Sequence, residues 1–303
     1  MEILELLQSI RNPVFNVLSG ILTFFGSEVF ILAVLFVVFW CVDKKFGYRL
    51  CFAYFLSGIV VQTIKIIARV PRPWVQNKAI TPVKSAVKGA TGYSFPSAHT
   101  QTATSFYGTF ACVARKKWLR ALFIVLIIAV GFSRMYLGVH TPADVSAAML
   151  ISLMITYFLN LGIDNRFFQK FRQEAILFAI ITLILSVTAL SVFLVQTGYV
   201  NGELSADQFK SLGAFLGFAI GWYVESTFVD FKTDNKSKGE KIGILVVGVL
   251  IALGLRIVLK ILIGGTIIGD YIRYAILVVF AIAVYPWCFE KTLKKRNKKS
   301  NNQ

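Results

Sequence analysis

The chain has 303 residues, of which 56% are apolar and only 16% charged, and its mean hydropathy is +0.70. A soluble domain carries roughly 45–50% apolar and about 25% charged residues, so that class is excluded. The 32 Lys and Arg outweigh 15 Asp and Glu, a net charge of +17. These charges lie between long apolar runs, which points to a membrane and excludes a nucleic-acid partner.

In chain order, ten apolar segments stand out, at roughly 12–26, 28–43, 48–70, 97–114, 118–136, 142–162, 173–195, 209–229, 241–263 and 271–290. Several are shorter than the about 20 residues that a helical span needs. The first is the least secure. Gly26-Ser27-Glu28 reads as the turn after it, and a half-spanning or interfacial helix is open as a reading. The seventh is the clearest, with an uncharged run over 175–195. Polar and apolar residues do not alternate, which excludes a β-barrel. The expected fold is therefore all-α, a polytopic membrane helical bundle. Glu2 and Glu5 stand where a cleavable signal peptide would be basic, so none is expected. Residues 291–303 read as a disordered basic tail.

Basic residues gather in alternate connections: Arg11; Lys44, Lys45 and Arg49; Arg115, Lys116, Lys117 and Arg120; Arg166, Lys170 and Arg172; Lys232, Lys236, Lys238 and Lys241; then the tail. If every segment spans, all of these share one side, and the positive-inside rule makes it cytoplasmic. Cys41, Cys51, Cys112 and Cys288 fall near the same ends, without CxxC or metal-ligand spacing, as suits reduced thiols. On the other face gather Lys65, Arg69, Arg72, Lys78, Lys84, Lys88 and Arg134. The connection over 70–96 is the longest on that face and carries Trp74, Tyr93 and Phe95. Positive charge on the side the rule leaves poor needs a reason other than topology.

That face holds both histidines of the chain. Lys65 is followed by Arg72-Pro73, Pro96-Ser97-Ala98-His99 opens the fourth segment, and Ser133-Arg134 is followed by His140 and Asp144. Cations and backbone N–H groups at a helix start are what a phosphate needs as charge builds on its oxygens. A histidine oriented by a carboxylate can be a nucleophile, and a second histidine can protonate a leaving oxygen.

Lys-x6-Arg-Pro, Pro-Ser-x-His and Ser-Arg-x5-His-x3-Asp resemble the three signature motifs of the type 2 phosphatidic acid phosphatase family, in order over residues 65–144. The resemblance implies a six-helix phosphatase core, drawn at 1–165, followed by about four further transmembrane helices over 166–290 and the cytoplasmic tail over 291–303. It implies that His140 is the nucleophile and forms a phosphohistidine, that Asp144 orients it, and that His99 is the general acid. Lys65, Arg72, Ser97, Ala98 and Arg134 would hold the phosphate. No metal and no cofactor is implied. The family usually has Gly where Ala98 stands, and the added methyl either crowds the oxyanion or asks for a slightly different backbone.

Plainer roles stay open beside these. Thr141 and Asp144 have the pattern of a helix cap, which is compatible with an orienting role. Lys65 alone would read as a snorkelling lysine, and Arg69 reads as a snorkelling or headgroup residue. Lys78, Lys84 and Lys88 either recruit anionic headgroups or are simply solvated. In the C-terminal third, Gly213, Gly217 and Gly221 form a small-residue stripe, for packing within the chain or a dimer seam. Arg256, Lys260 and Arg273 form either a second anionic site or an interface anchor with Asp270 as local partner.

The leading expectation is thus an integral plasma-membrane phosphatase acting on a phosphorylated membrane lipid at the extracytoplasmic face. Polyprenyl diphosphate, phosphatidate, phosphatidylglycerol phosphate and sphingoid phosphate are all admissible substrates. A lipid phosphotransferase would differ only in the acceptor. A transporter of phosphorylated lipids would leave His140 and Asp144 without a purpose. Oligomeric state is not legible in the sequence.

Overall fold

Helices account for all regular secondary structure in the computed structural model, which describes the backbone of residues 1–234 and 236–300 and side chains as far as residue 292. They are α1 (Glu2–Ser9), α2 (Pro13–Phe24), α3 (Glu28–Val37), α4 (Lys44–Ala68), α5 (Pro73–Gln76), α6 (Lys84–Val87), α7 (Ala98–Val113), α8 (Lys117–Tyr136), α9 (Pro142–Asp164), α10 (Gln173–Gln196), α11 (Ala206–Val224), α12 (Lys238–Ile263), α13 (Ile267–Val279) and α14 (Tyr285–Ser300). π-helical turns extend α3 and α11 and join α13 to α14. Each of the ten apolar segments is helical, as the sequence predicts.

Among the described residues, seven helices are long and apolar enough to cross a membrane, or eight if α2 and the extended α3 form one span bent by 44°. The chain is an integral membrane protein. The bend falls where Gly26-Ser27-Glu28 predicts a turn. α7 is not one of the seven. It has 16 residues, and those from Thr100 to Thr109 are buried, mostly as Thr, Ser, Gln and small side chains. It packs along α8 and α9, so its polar groups face protein and not lipid. Gln101 Nε2, for example, donates to Ser57 Oγ at 2.8 Å on α4.

Two readings are corrected here. Arg11 does not lie with the other alternate-loop cations. Its Nε donates to the Tyr136 carbonyl at 2.9 Å and its Nη1 to the Thr81 carbonyl, at the end of α8 that carries Arg134. The reason is that α2 is too short to span by itself, so residue 11 stays at the end where α8 finishes. The tail is likewise not irregular as far as Ser300, since α14 runs through it. The run from Lys291 to Arg296 has good helix formers and neither Gly nor Pro. Residues 301–303 of the predicted tail lie outside the described residues.

The chain forms two compact units, which interleave along the sequence where a single boundary at 165/166 is predicted. The first comprises Met1–Ala33, Phe52–Phe168 and Leu190–Gln208; it holds every motif residue. The second comprises Val34–Cys51, Gln169–Ala189 and Phe209–Gln303. Within it the glycine stripe of α11 packs on α13 of the same chain. A Cβ on Gly213 would lie 2.0 Å from the Tyr271 carbonyl oxygen, and one on Gly217 2.2 Å from that of Ala275. The helices touch backbone to backbone, so Gly217→Ala must push them apart. The expected loss is about 1–3 kcal/mol, read as a lower thermal midpoint in detergent. An unchanged midpoint would mean that the two helices do not meet at this spacing.

Other C-terminal charges are internally satisfied. Buried Glu225 accepts from Lys44 Nζ at 2.9 Å, from the Phe231 amide at 2.7 Å and from the Tyr48 hydroxyl. Arg273 pairs with Asp270 and also donates to the Gly264 carbonyl at 3.1 Å, which is the local-partner reading rather than an open anion site. Arg256 and Lys260 are exposed.

Candidate active site

The three motifs converge at one end of the first unit, and each residue arrives there for a local reason. Lys65 sits in the last turn of α4. That helix stops at Ala68 because Arg69 takes a left-handed backbone, φ 51°, and two prolines follow at 71 and 73. Arg72 then precedes α5, whose first residue is Pro73. Both cations are buried and turn towards the segment over 91–96. Lys65 Nζ donates to the carbonyls of Tyr93 at 3.0 Å, Ser94 at 3.4 Å and Pro96 at 2.6 Å. Arg72 Nε donates to the Gly92 carbonyl at 3.1 Å, Nη2 to the Thr91 carbonyl, and Nη1 to the Val139 carbonyl at 3.1 Å.

Ser97 caps α7. Its amide donates to the Asp144 carbonyl at 3.0 Å, and its Oγ accepts from Thr100 Oγ1 at 2.9 Å. The Ser97 hydroxyl proton is left to point elsewhere. Ala98 is the first residue of α7 and has no positive φ, so its methyl asks for no special backbone. The first amides of α7 are those a helix leaves without internal partners. His99 follows in the first turn and lies in the field of Arg134, His140, Arg72 and Lys65.

Arg134 ends α8 and is only 2% exposed. Its Nη1 donates to Thr23 Oγ1 at 2.8 Å, but Nε and Nη2 are buried with no protein partner. A buried, unpaired charged donor costs about 1–3 kcal/mol or more, so an anion is what this guanidinium lacks.

His140 lies between α8 and α9, four residues before Asp144. Its Nδ1 is 3.4 Å from Asp144 Oδ2, and its Nε2 is 2.9 Å from Arg72 Nη1. With a carboxylate on one side and an N–H donor on the other, the neutral ring carries its proton on Nδ1 and its lone pair on Nε2. Burial pushes the imidazole well below the ordinary histidine range, and the charges of Arg72, Arg134 and Lys65 push the same way. Asp144 is a helix cap as well: its Oδ2 accepts from the Thr141 amide at 2.8 Å while Thr141 Oγ1 accepts the Asp144 amide at 3.2 Å. One oxygen thus both caps α9 and faces His140.

All eight predicted site residues therefore meet at this end, but in unequal states. Lys65 and Arg72 spend their donors on backbone carbonyls and on His140, whereas Arg134 keeps two free. Lys78, Lys84 and Lys88 are exposed on the connection above. Arg69 is exposed, and its guanidinium lies 3.6 Å from the centroid of the Tyr199 ring. Sequence reasoning missed Ser94, whose Oγ donates to Asp144 Oδ2 at 2.6 Å, and Thr23, the partner of Arg134. Ser94 stands three residues before Ser97 and could have been suspected as a second hydroxyl of that motif. Thr23 lies 111 residues from Arg134 and carries no local signal.

Comparison with known proteins bears on the same residues. A family model described as PAP2 superfamily matches residues 46–168, which contain every predicted site residue. A second, described as PAP2 superfamily phosphatase, transmembrane extension, matches residues 209–297. The chain is 29% identical over 175 residues to phosphatidylglycerophosphatase B of Bacillus subtilis, covering 54% of this chain and 82% of that protein. It is 27% identical over 165 residues to the undecaprenyl-diphosphatase of Sulfolobus acidocaldarius, covering 53% of this chain and 78% of that one. It is 31% identical over 155 residues to the bacitracin transport permease protein BcrC of Bacillus licheniformis, covering 50% and 71% respectively.

Proposed function

The chain belongs to the PAP2 superfamily and is a membrane hydrolase of phosphorylated lipids, and from that premise we propose that it works through a phosphohistidine on His140 at the extracytoplasmic end of the bundle. The observation that carries this reading is the pair of unpartnered, buried nitrogens of Arg134, a guanidinium whose charge acts on His140. The phosphate oxygens would take those two donors, the Ser97 hydroxyl and the first amides of α7, Ala98 among them. Lys65 and Arg72 add positive charge, and Arg72 also leaves His140 Nε2 for a phosphate oxygen when the substrate enters. Nε2 then attacks phosphorus in line. The P–N bond forms as the bond to the lipid oxygen breaks, and His99 gives that oxygen its proton. Water next attacks the phosphohistidine and passes a proton to His99. The P–N bond breaks, and neutral His140 returns. Asp144 holds the ring and steadies the charge it gains.

The side of the membrane is inferred from charge. α4 begins at Lys44 and Lys45, α8 begins just after Arg115 and Lys116, and Arg166 follows α9, all at helix ends away from His140. The positive-inside rule puts those ends, and the basic run over 291–299, in the cytoplasm of the plasma membrane. Substrate would come from the outer leaflet: a polyprenyl diphosphate, phosphatidylglycerol phosphate, phosphatidate or sphingoid phosphate.

The test is phosphate release from each of these by the purified protein in detergent with EDTA present and with ¹⁸O-water. Expected are release from at least one and a label in the released phosphate. Transfer to another lipid without label would identify a transferase, and binding without cleavage a transporter. The pH profile gives a second check. His140 is held below its ordinary value of 6.5, so it stays neutral as pH falls through that value and gains a proton only further down. The acid limb of kcat/KM should therefore lie below pH 6.5. A limb at or above that value would count against His140 as the neutral nucleophile.

A further inference from the structure

Residues 197–205, which join α10 to α11, and the first turn of α11 as far as residue 208 fall between the two family-matched ranges. They nevertheless close on the phosphate site from the first unit. Arg69 Nη1 donates to the Tyr199 carbonyl at 2.8 Å and stacks on its ring, while the Tyr199 hydroxyl donates to the Ile67 carbonyl at 3.3 Å. Gln208 Nε2 donates to Thr63 Oγ1 at 3.0 Å. The connection is thus fixed to the end of the helix that carries Lys65.

From there it reaches the 91–92 backbone. Thr91 Oγ1 donates to Asp207 Oδ2 at 2.5 Å. Gly92 has φ 62°, and a Cβ on it would lie 2.9 Å from the Leu204 carbonyl oxygen, so backbone meets backbone there. Thr91 and Gly92 are the residues whose carbonyls hold Arg72 Nη2 and Nε. This short stretch is clamped between Arg72 on one side and Asp207 with Leu204 on the other. The Asp207 carboxylate also acts electrostatically on both Lys65 and Arg72.

We propose that Asp207 is a positioning residue for the phosphate site: by holding Thr91 it fixes the two carbonyls that set where the Arg72 guanidinium stands against His140. This rests on the phosphatase reading above. The physical reason is leverage. A guanidinium fork is directional, so a small shift of its carbonyl anchors misaims it at the phosphate.

The experiment compares Thr91→Val, which keeps the shape and loses the hydroxyl, with Thr91→Ser, which keeps the hydroxyl, and with Asp207→Ala and the double variant Thr91→Val/Asp207→Ala. Two readouts are taken: phosphate release, and the inorganic phosphate concentration that half-saturates the rise in thermal midpoint. Thr91→Val and Asp207→Ala should each lower kcat about tenfold, with KM within about twofold of wild type. Each should also need more inorganic phosphate for stabilisation. Thr91→Ser should behave as wild type, and the double variant should lose no more than either single one. Wild-type kcat and phosphate response in Thr91→Val, an equal loss in Thr91→Ser, or a double variant that multiplies the two losses would overturn the proposal. Where wild type binds phosphate but hydrolyses nothing, the hydrolase reading fails and the phosphate response alone decides the role of Asp207; where His140→Ala hydrolyses as well as wild type, only the phosphohistidine reading fails, and both readouts still decide it. A wild type that neither binds nor releases phosphate sinks both.

Discussion

His140→Ala is expected to lower phosphate release by roughly 10⁴-fold or more, as loss of a nucleophile that acts in a unit with its base or orienter does elsewhere. Nε2 is the lone pair that the surroundings present to the pocket, with Arg72 Nη1 2.9 Å away and Asp144 behind the ring. The neighbouring candidates serve other ends: Ser94 is bound to Asp144, and Ser97 caps α7. The fold should survive. Asp144 keeps the Thr141 amide and the Ser94 hydroxyl, so its buried carboxylate is not stranded. Inorganic phosphate should still stabilise the variant, because Arg134 and the start of α7 are untouched. Quenching wild type during turnover should trap an acid-labile phosphoenzyme, and the variant should give none. Activity within tenfold of wild type, or labelling that persists in the variant, would remove His140 from the covalent step.

Arg134 should give the second largest effect, and the sign of its stability change is the informative part. Arg134→Met is expected to cut kcat/KM by about 10²–10³-fold, the range for losing preorganised donors to a charged transition state. This guanidinium is, however, buried with no protein partner for Nε and Nη2, and it lies in the field of Arg72 and Lys65. Replacing a charge in that condition by an apolar side chain of similar length should leave the thermal midpoint unchanged or raise it. Inorganic phosphate should raise the midpoint of wild type and not that of Arg134→Met. Arg134→Lys should recover little activity, since a point charge does not reproduce the fork. A variant that is both less stable and still responsive to phosphate would show that Arg134 is a structural residue.

Much of this was legible before any coordinates. The apolar runs located every long helix, since a run of that length in a membrane has few ways to satisfy its backbone other than helix. Spacing also placed Lys65, Arg72, Ser97, His99, Arg134, His140 and Asp144 at segment ends on one face. Arg11 shows where such reading stops. Counting α2 as a full span assigned it to the wrong end, because a 12-residue helix followed by a bend does not reverse the side of the chain as a full span does.

Composition and spacing by themselves thus determined the class of protein and the run of helices, and they placed the motif residues at segment ends. Those are properties of short windows, where helical period and apolar length leave little choice. Only the tertiary structure decided how each donor is spent: that Lys65 and Arg72 are tied to the 91–96 carbonyls, that Arg134 leans on Thr23 with two nitrogens to spare, and that Asp207 reaches back to Thr91 from 116 residues away. A hydrogen bond is specified by the approach of two atoms to within about 3 Å, and no local pattern encodes that approach when its partners come from distant helices.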